Sequence, residues 1–325
     1  MKKLLAVITV FAFLFFSGVA FSGDVTKFPN GISSMGVPVV GGTVLTTGTV
    51  YFVDSNTGSN SYDGKDKNHP FADIDYAIGM CTASKGDVII VMPGHAETKT
   101  AAIALDVAGV TILGLGEGLL KPTLTGNGTI DVIDITGANC TVDNIHFAAP
   151  LTDAQTSFIN VGAAAGVTLR NISGVGSTGT ENVVDCITVG STGSDDLLID
   201  GLYIHNSTVA VNSFISLEAA ASRVTLKNVW CFGEVATAGL IDAAKIDYLF
   251  MENVYIGVTG TTKPAATLDS NPEGMAMNCM FAGTHGTLAT NAALGNLMRL
   301  FEIRVLEETG GTAQGNVIPA VDADG

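Results

Sequence analysis

Apolar and polar positions alternate along this chain in short runs, and one six-residue run returns seven times. It reads GVTILG at 109–114, NCTVDN at 139–144, GVTLRN at 166–171, DLLIDG at 196–201, RVTLKN at 223–228, YLFMEN at 248–253 and, more weakly, EGMAMN at 273–278. The closing residues are Gly114, Asn144, Asn171, Gly201, Asn228, Asn253 and Asn278, spaced by 30, 27, 30, 27, 25 and 25. A period of two within each run is the pattern of a strand. A short strand that recurs every 25 to 30 residues marks a solenoid in which each coil stacks on the last. A second strand falls in each repeat: VIDI at 132–135, FINV at 158–161, CITV at 186–189, FISL at 214–217 and LIDA at 240–243. Turns of small residues such as GAAAG (162–166) and EAAAS (218–222) separate the two. The expected fold is all-β, a right-handed parallel β-helix with an N-terminal helical cap and coils over 100–283.

In such a stack every position of the phrase becomes a row. Two positions before the closing residue stand Ile112, Val142, Leu169, Ile199, Leu226, Met251 and Ala276; one after it stand Leu115, Ile145, Ile172, Leu202, Val229, Val254 and Cys279. Both rows are expected to point inward. Asn144, Asn171, Asn228, Asn253 and Asn278 form a corner row whose amides are expected to bond turn backbone from coil to coil. The outward row before them is Asp143, Arg170, Asp200, Lys227 and Glu252. Its signs alternate, and with coils about 4.8 Å apart each cation would lie between two anions. A further outward row, two after the corner, is His146, Ser173, Tyr203, Trp230, Tyr255 and Met280. His146, Tyr203, Trp230 and Tyr255 are therefore the expected interaction surface, either a sugar-stacking platform or a patch packed against protein.

The ends of the chain read differently. MKKLLAVITVFAFLFFSGVAFS at 1–22 has two lysines, an apolar run and small residues, the make-up of a secretory signal peptide, with a membrane anchor as the other reading. Residues 23–50 are rich in Gly, Val and Thr with almost no charge and read as an extended arm. Residues 51–99 hold a strand, a loop, the amphipathic run FADIDYAIGMCTA and the strand GDVIIVMPG, suited to cap an open solenoid end. Residues 284–325 read as a closing helix or strand cap followed by a small, polar tail.

The formal charge of −16 comes without a basic cluster, which argues against nucleic acid as a partner. After signal removal no segment calls for a membrane. Five cysteines, Cys81, Cys140, Cys186, Cys231 and Cys279, show no metal-type spacing and sit mostly in strand-like runs, as buried thiols do. In the loop after Tyr51, Asp54, Asn56 and Asp63, with Asp66, offer oxygen ligands that could hold calcium; no other cofactor is expected. The candidate acids for glycoside hydrolysis, Asp131 with Asp134, Asp195 with Asp196, and Asp185, form no cluster of two or three on neighbouring coils of the kind that reaction needs. The row Asp134, Asn160, Thr188, Ser216 and Asp242 carries acids only at its ends, and His146 and His205 show no nucleophile partner in the pattern.

The stretch YFVDSNTGSNSYDGKDKNHPFADIDYAIGMCTASKGDVIIVMPGHAET resembles the opening of the pectate-lyase-like right-handed parallel β-helix superfamily. The resemblance implies the fold and a wide choice of roles: polysaccharide lyases and hydrolases, phage tail and virion proteins, adhesins and inactive surface proteins. The lyases use an Arg or Lys as base beside acidic calcium ligands, which would point here to Arg170 or Lys227, each already provided with ion-pair partners. The expected role is therefore that of a secreted or cell-surface, non-enzymatic structural or adhesive protein that associates with itself, with a surface glycan as a further partner. A polysaccharide lyase or glycoside hydrolase, and a virion or tail-spike-like protein, are the alternatives.

Overall fold

The computed structural model describes residues 46–318, except 152–154, 179–180, 207–210, 260–262, 269, 271, 284–291, 295–297 and 310–311, and the backbone of 32–34 and 37–39. The run at 1–22 and most of the 23–50 arm lie outside the described residues. Residues 1–45 form a unit of their own, in which Ile32–Ser34 pairs antiparallel with Val37–Val39 as a hairpin. Residues 46–325 form the second unit, a parallel β-helix. Among the described residues no helix is long and apolar enough to cross a membrane.

The recurring phrase builds the larger sheet. Successive strands pair in parallel, so that Ile112, Val142, Leu169, Ile199, Leu226, Met251 and Ala276 share one register row, and all are buried. The row continues at both ends, to Ile89 and Tyr51 on one side and Leu300 on the other. Strands of the 51–99 segment thus already belong to the stack. The coils also run past Gly283: Met298–Phe301 pairs with Gly274–Met277 and Ile303–Thr309 with Met280–Gly283, before Thr312–Ile318 folds back antiparallel. Parallel crossovers of this kind are right-handed almost without exception.

Backbone conformation explains the six-residue length of the phrase. Its last residue has a left-handed φ at Asn144, Asn171, Gly201, Asn228, Asn253 and Asn278, and so does its first at Gly109, Asn139, Gly166, Asp196, Arg223 and Tyr248. The chain turns a corner at both ends of each short strand, and Gly, Asn and Asp reach that conformation at least cost. Gly114 is an exception with no such φ. The chain there leaves the coil in a loop at 115–122 and rejoins it at Thr123, which pairs with His146. Leu115 therefore does not take the inward place expected of it and is 37% exposed.

The second sheet carries the row Ile103, Ile133, Ile159, Ile187, Ile215, Leu240 and Ala266. Its register corrects the outward row read from sequence: Ser216 pairs with Ile241, and Asp242 with Leu217. The shift arises because Gly239 takes the rung of Phe214. A Cβ on Gly239 would come within 2.3 Å of the Ile256 side chain, so the small residue gives no apolar signal to align on. Asp134, Asn160, Thr188 and Ser216 do share one register row, although Thr188 and Ser216 are buried.

The cap is shorter than the run FADIDYAIGMCTA implied. Helix α1 (Ile74–Gly79) has Asp73 as N-cap, accepting from Tyr76 N at 2.8 Å, and buries Ile74, Ala77 and Ile78. Asp87, itself buried, draws the chain out of the helix by accepting from Thr82 N and Thr49 N. Asp75 Oδ1 accepts from Ala104 N at 3.0 Å, which satisfies an amide on the open edge of the second sheet. Glu97 joins the cap to the first coil through His95, Lys99 and Ile74 N. Burial pushes its carboxyl pKa up, but the His95 and Lys99 hydrogen bonds outweigh that and hold it low.

Candidate functional site

The outward face of the larger sheet gathers most of the residues singled out in the sequence. The charge row is in register as Asp143, Arg170, Asp200, Lys227 and Glu252. It is not an unbroken ladder of ion pairs. Arg170 Nη1 lies 3.9 Å from Asp143 and Lys227 Nζ 2.8 Å from Glu252, while Asp200 accepts from Asn228 Nδ2 at 2.7 Å. The Glu252 hydrogen bond is the main reason that the Lys227 pKa is raised, with a smaller contribution from Asp200.

The corner amides differ from the expectation in their partners. Only Asn144 reaches backbone, donating to Gly114 O and Gly116 O at 2.9 Å. Asn171 donates to Asp143, Asn228 to Asp200, Asn253 to Asn228 and Asn278 to Asn253. Each bond points to the preceding coil. The side chains bond one another because the left-handed backbone already closes the corner, which leaves the amides free for the rung behind.

Tyr203, Trp230 and Tyr255 stand on three successive rungs. Ring centroids of Tyr203 and Trp230 are 4.8 Å apart with planes at 7°; Trp230 and Tyr255 are 5.5 Å apart at 23°. Tyr203 is 49% and Trp230 39% exposed. Rings stacked at the coil spacing have their faces against one another and present their edges to solvent. A sugar-stacking platform needs open ring faces, so the centre of the strip does not have that geometry. Beyond Tyr255 lies a groove of about 270 Å³ lined by Asn253, Val254, Tyr255, Asn278, Cys279, Met280 and Arg304.

His146 opens the same row, apart from the three rings. Contrary to the pattern reading, it has a hydroxyl partner: its Nδ1 is 3.0 Å from Ser173 Oγ on the next rung. Lys121 Nζ, from the 115–122 loop, reaches Ser173 Oγ at 3.1 Å and Asn171 O at 2.6 Å. Sequence rows placed His146 and Ser173 side by side, but Lys121 belongs to no row, and only the loop brings it there. His205 stacks on Phe232.

The carboxylates considered for hydrolysis are spread over separate contacts. Asp131, Ser157, Asp185 and Ser213 share a row on successive coils. Ser157 donates to Asp131 at 2.7 Å; Ser213 and Asn212 donate to Asp185 at 2.5 and 2.9 Å. Burial raises the pKa of both acids in spite of these bonds. Asp134 accepts from Asn160, Asp195 from Ser222 N, and Asp196 pairs with Arg223. In the cap loop, Asp54 accepts from Asn56 and Thr57, Asp63 from Lys65 N and Asp66 from Asn68, each acid closing its own turn. Among the described residues no three His, Cys, Asp or Glu side chains form a metal-holding group. All five cysteines are thiols, and all but Cys81 are buried.

No family model and no curated protein matches the chain. Among solved structures the chain is similar to a rhamnogalacturonan lyase at 13% identity and a TM-score of 0.40, covering 74% of this chain and 71% of that one. It is also similar to the GH136 lacto-N-biosidase from Eubacterium ramulus, at 11% and 0.44, and to ORF18 of Geobacillus virus E2, at 10% and 0.32. Each of these covers 74% of this chain, which spans 55% and 59% of their lengths. The parallel β-helix implied by the resemblance of the 51–98 segment is the fold observed; the three proteins differ in kind.

Proposed function

We propose that this chain is a secreted or surface-borne structural or adhesive β-helix protein that associates with itself through the face carrying Tyr203, Trp230 and Tyr255. The observation that carries the reading is what the outward side chains are engaged in. Charges pair along their row, corner amides bond the preceding rung, and aromatic faces stack on each other. The result is a pre-organised face whose apolar ring edges stand in solvent. A second copy can cover such edges with little loss of side-chain freedom, since the rings are already ordered.

Sedimentation and electron microscopy of the protein beginning at residue 23 test this directly. Assemblies larger than a monomer are expected, and Trp230→Ala is expected to weaken them while leaving the far-ultraviolet circular dichroism unchanged. A wild-type protein that stays monomeric at high concentration would overturn the reading. A carbohydrate-directed role, as a glycan binder or a polysaccharide lyase or hydrolase, draws on the groove beside Tyr255, where Arg304 offers a cation on an otherwise acidic chain. Glycan-array binding lost on Arg304→Ala in a monomeric protein would favour it.

A further inference from the structure

Lys121, His146 and Ser173 form a hydrogen-bonded set that neither the charge row nor the aromatic stack explains. His146 and Ser173 are fixed on neighbouring rungs by parallel pairing, and Lys121 is fixed by its bond to Asn171 O. The roles in the set follow from donor counting. An ammonium has three N–H donors and no acceptor, so Ser173 Oγ accepts from Lys121 at 3.1 Å. The serine hydroxyl is then free to donate to His146 Nδ1 at 3.0 Å. That arrangement places the imidazole proton on Nε2. Burial, and secondarily the charge of Lys121, pushes the His146 pKa down, which keeps the ring in its basic, neutral form at neutral pH. Burial also lowers the Lys121 pKa, against the opposing pull of Asp143. A hydroxyl with a base on its proton and a cation on its oxygen is an activated nucleophile. Two of the ammonium donors are used by Asn171 O and Ser173 Oγ, and the third is available to a ligand.

We propose that Ser173 is the nucleophile of an ester-cleaving centre, with His146 as general base and Lys121 as the donor to the oxyanion. Ser173 Oγ attacks the carbonyl carbon of a carboxylic ester and its proton passes to His146 Nδ1. The carbonyl electron pair moves onto oxygen, where the third N–H of Lys121 receives it. Collapse breaks the bond to the alcohol, which leaves with the proton from His146, and Ser173 carries the acyl group. Water then attacks the acyl carbon and gives a proton to His146. The bond to Oγ breaks, Ser173 regains the proton, and a carboxylic acid is released. The set lies on the outward face one rung from exposed Tyr203. An ester displayed on an extended molecule, such as an acylated polymer, can reach it there, and a short acyl group suits an open face.

The test uses the wild-type protein, a fluorophosphonate probe and p-nitrophenyl acetate. Mass spectrometry is expected to find the phosphonyl adduct on Ser173 in preference to other serines. Ser173→Ala should bring ester turnover to background, and His146→Ala should lower it about 100-fold or more, the usual range for a general base. Lys121→Met should lower turnover about 100-fold or more through the lost oxyanion donor. Absence of a preferred adduct on Ser173 in the wild type would overturn the proposal without recourse to any variant. So would an adduct whose rate is the same in a folded His146→Ala protein.

Discussion

At the scale of single residues, the corner asparagines do two things that can be separated by substitution. Asn253 holds a φ of 56° and accepts and donates along the corner row. Asn253→Ala is expected to cost about 2–4 kcal/mol, from left-handed strain and two lost hydrogen bonds. Asn253→Gly should recover the strain part and keep only the smaller loss. Denaturant midpoints of the two variants check this; equal losses would show that the backbone conformation is not what asparagine provides. Asp185 gives a pH test. Its folded pKa is raised by burial, so the folded state holds a proton that the unfolded state releases. Stability should therefore fall as pH rises from the ordinary aspartate value, about 3.9, through the raised one. Asp185→Asn should flatten that slope in melting curves taken across the window. Identity and spacing were legible at this scale, since Asn and Gly mark the corners. Bond partners were not: the same asparagine spacing serves a ladder to backbone or to side chains, and a left-handed corner decides which.

At the scale of elements, the alternation of charge along Asp143, Arg170, Asp200, Lys227 and Glu252 sets neighbours of opposite sign on paired strands. Lys227→Glu would place three carboxylates on consecutive rungs. A lower melting temperature at low salt is expected, with partial recovery at high salt as the repulsion is screened. An unchanged melting temperature in both would show that the row does not help to fix register. Strand positions were readable because alternation of period two is a local property. The length of helix α1 was not, because Asp87, five residues beyond Thr82, ends it by accepting from Thr82 N, and a capping carboxylate leaves no trace in the apolar pattern. The 115–122 loop was hidden for a similar reason. A 30-residue spacing between Gly114 and Asn144 says that residues are added but not where, and Lys121 reaches Ser173 only through that excursion.

At the scale of the whole molecule, each coil packs against the coils beside it, so damage stays local before it spreads. Leu226 is fully buried between Ile199 and Met251. Leu226→Ala should cost about 2–5 kcal/mol. Hydrogen exchange is expected to lose protection first on the strands around 199, 226 and 251, with those around 89, 112 and 142 holding longer. Loss at the same rate throughout would mean a single cooperative block. The solenoid itself was plain in the sequence because one phrase repeats, whereas the course of the chain after Gly283 was not, because Met298–Phe301 departs from that phrase. Finally, Trp230 is the only tryptophan of the chain and sits between two tyrosines with nearly parallel rings. Light absorbed by Tyr203 or Tyr255 should pass to it with high efficiency, and the coupled rings should give a near-ultraviolet dichroism signal. The molecule thereby contains a spectroscopic ruler for three adjacent coils, readable without any label.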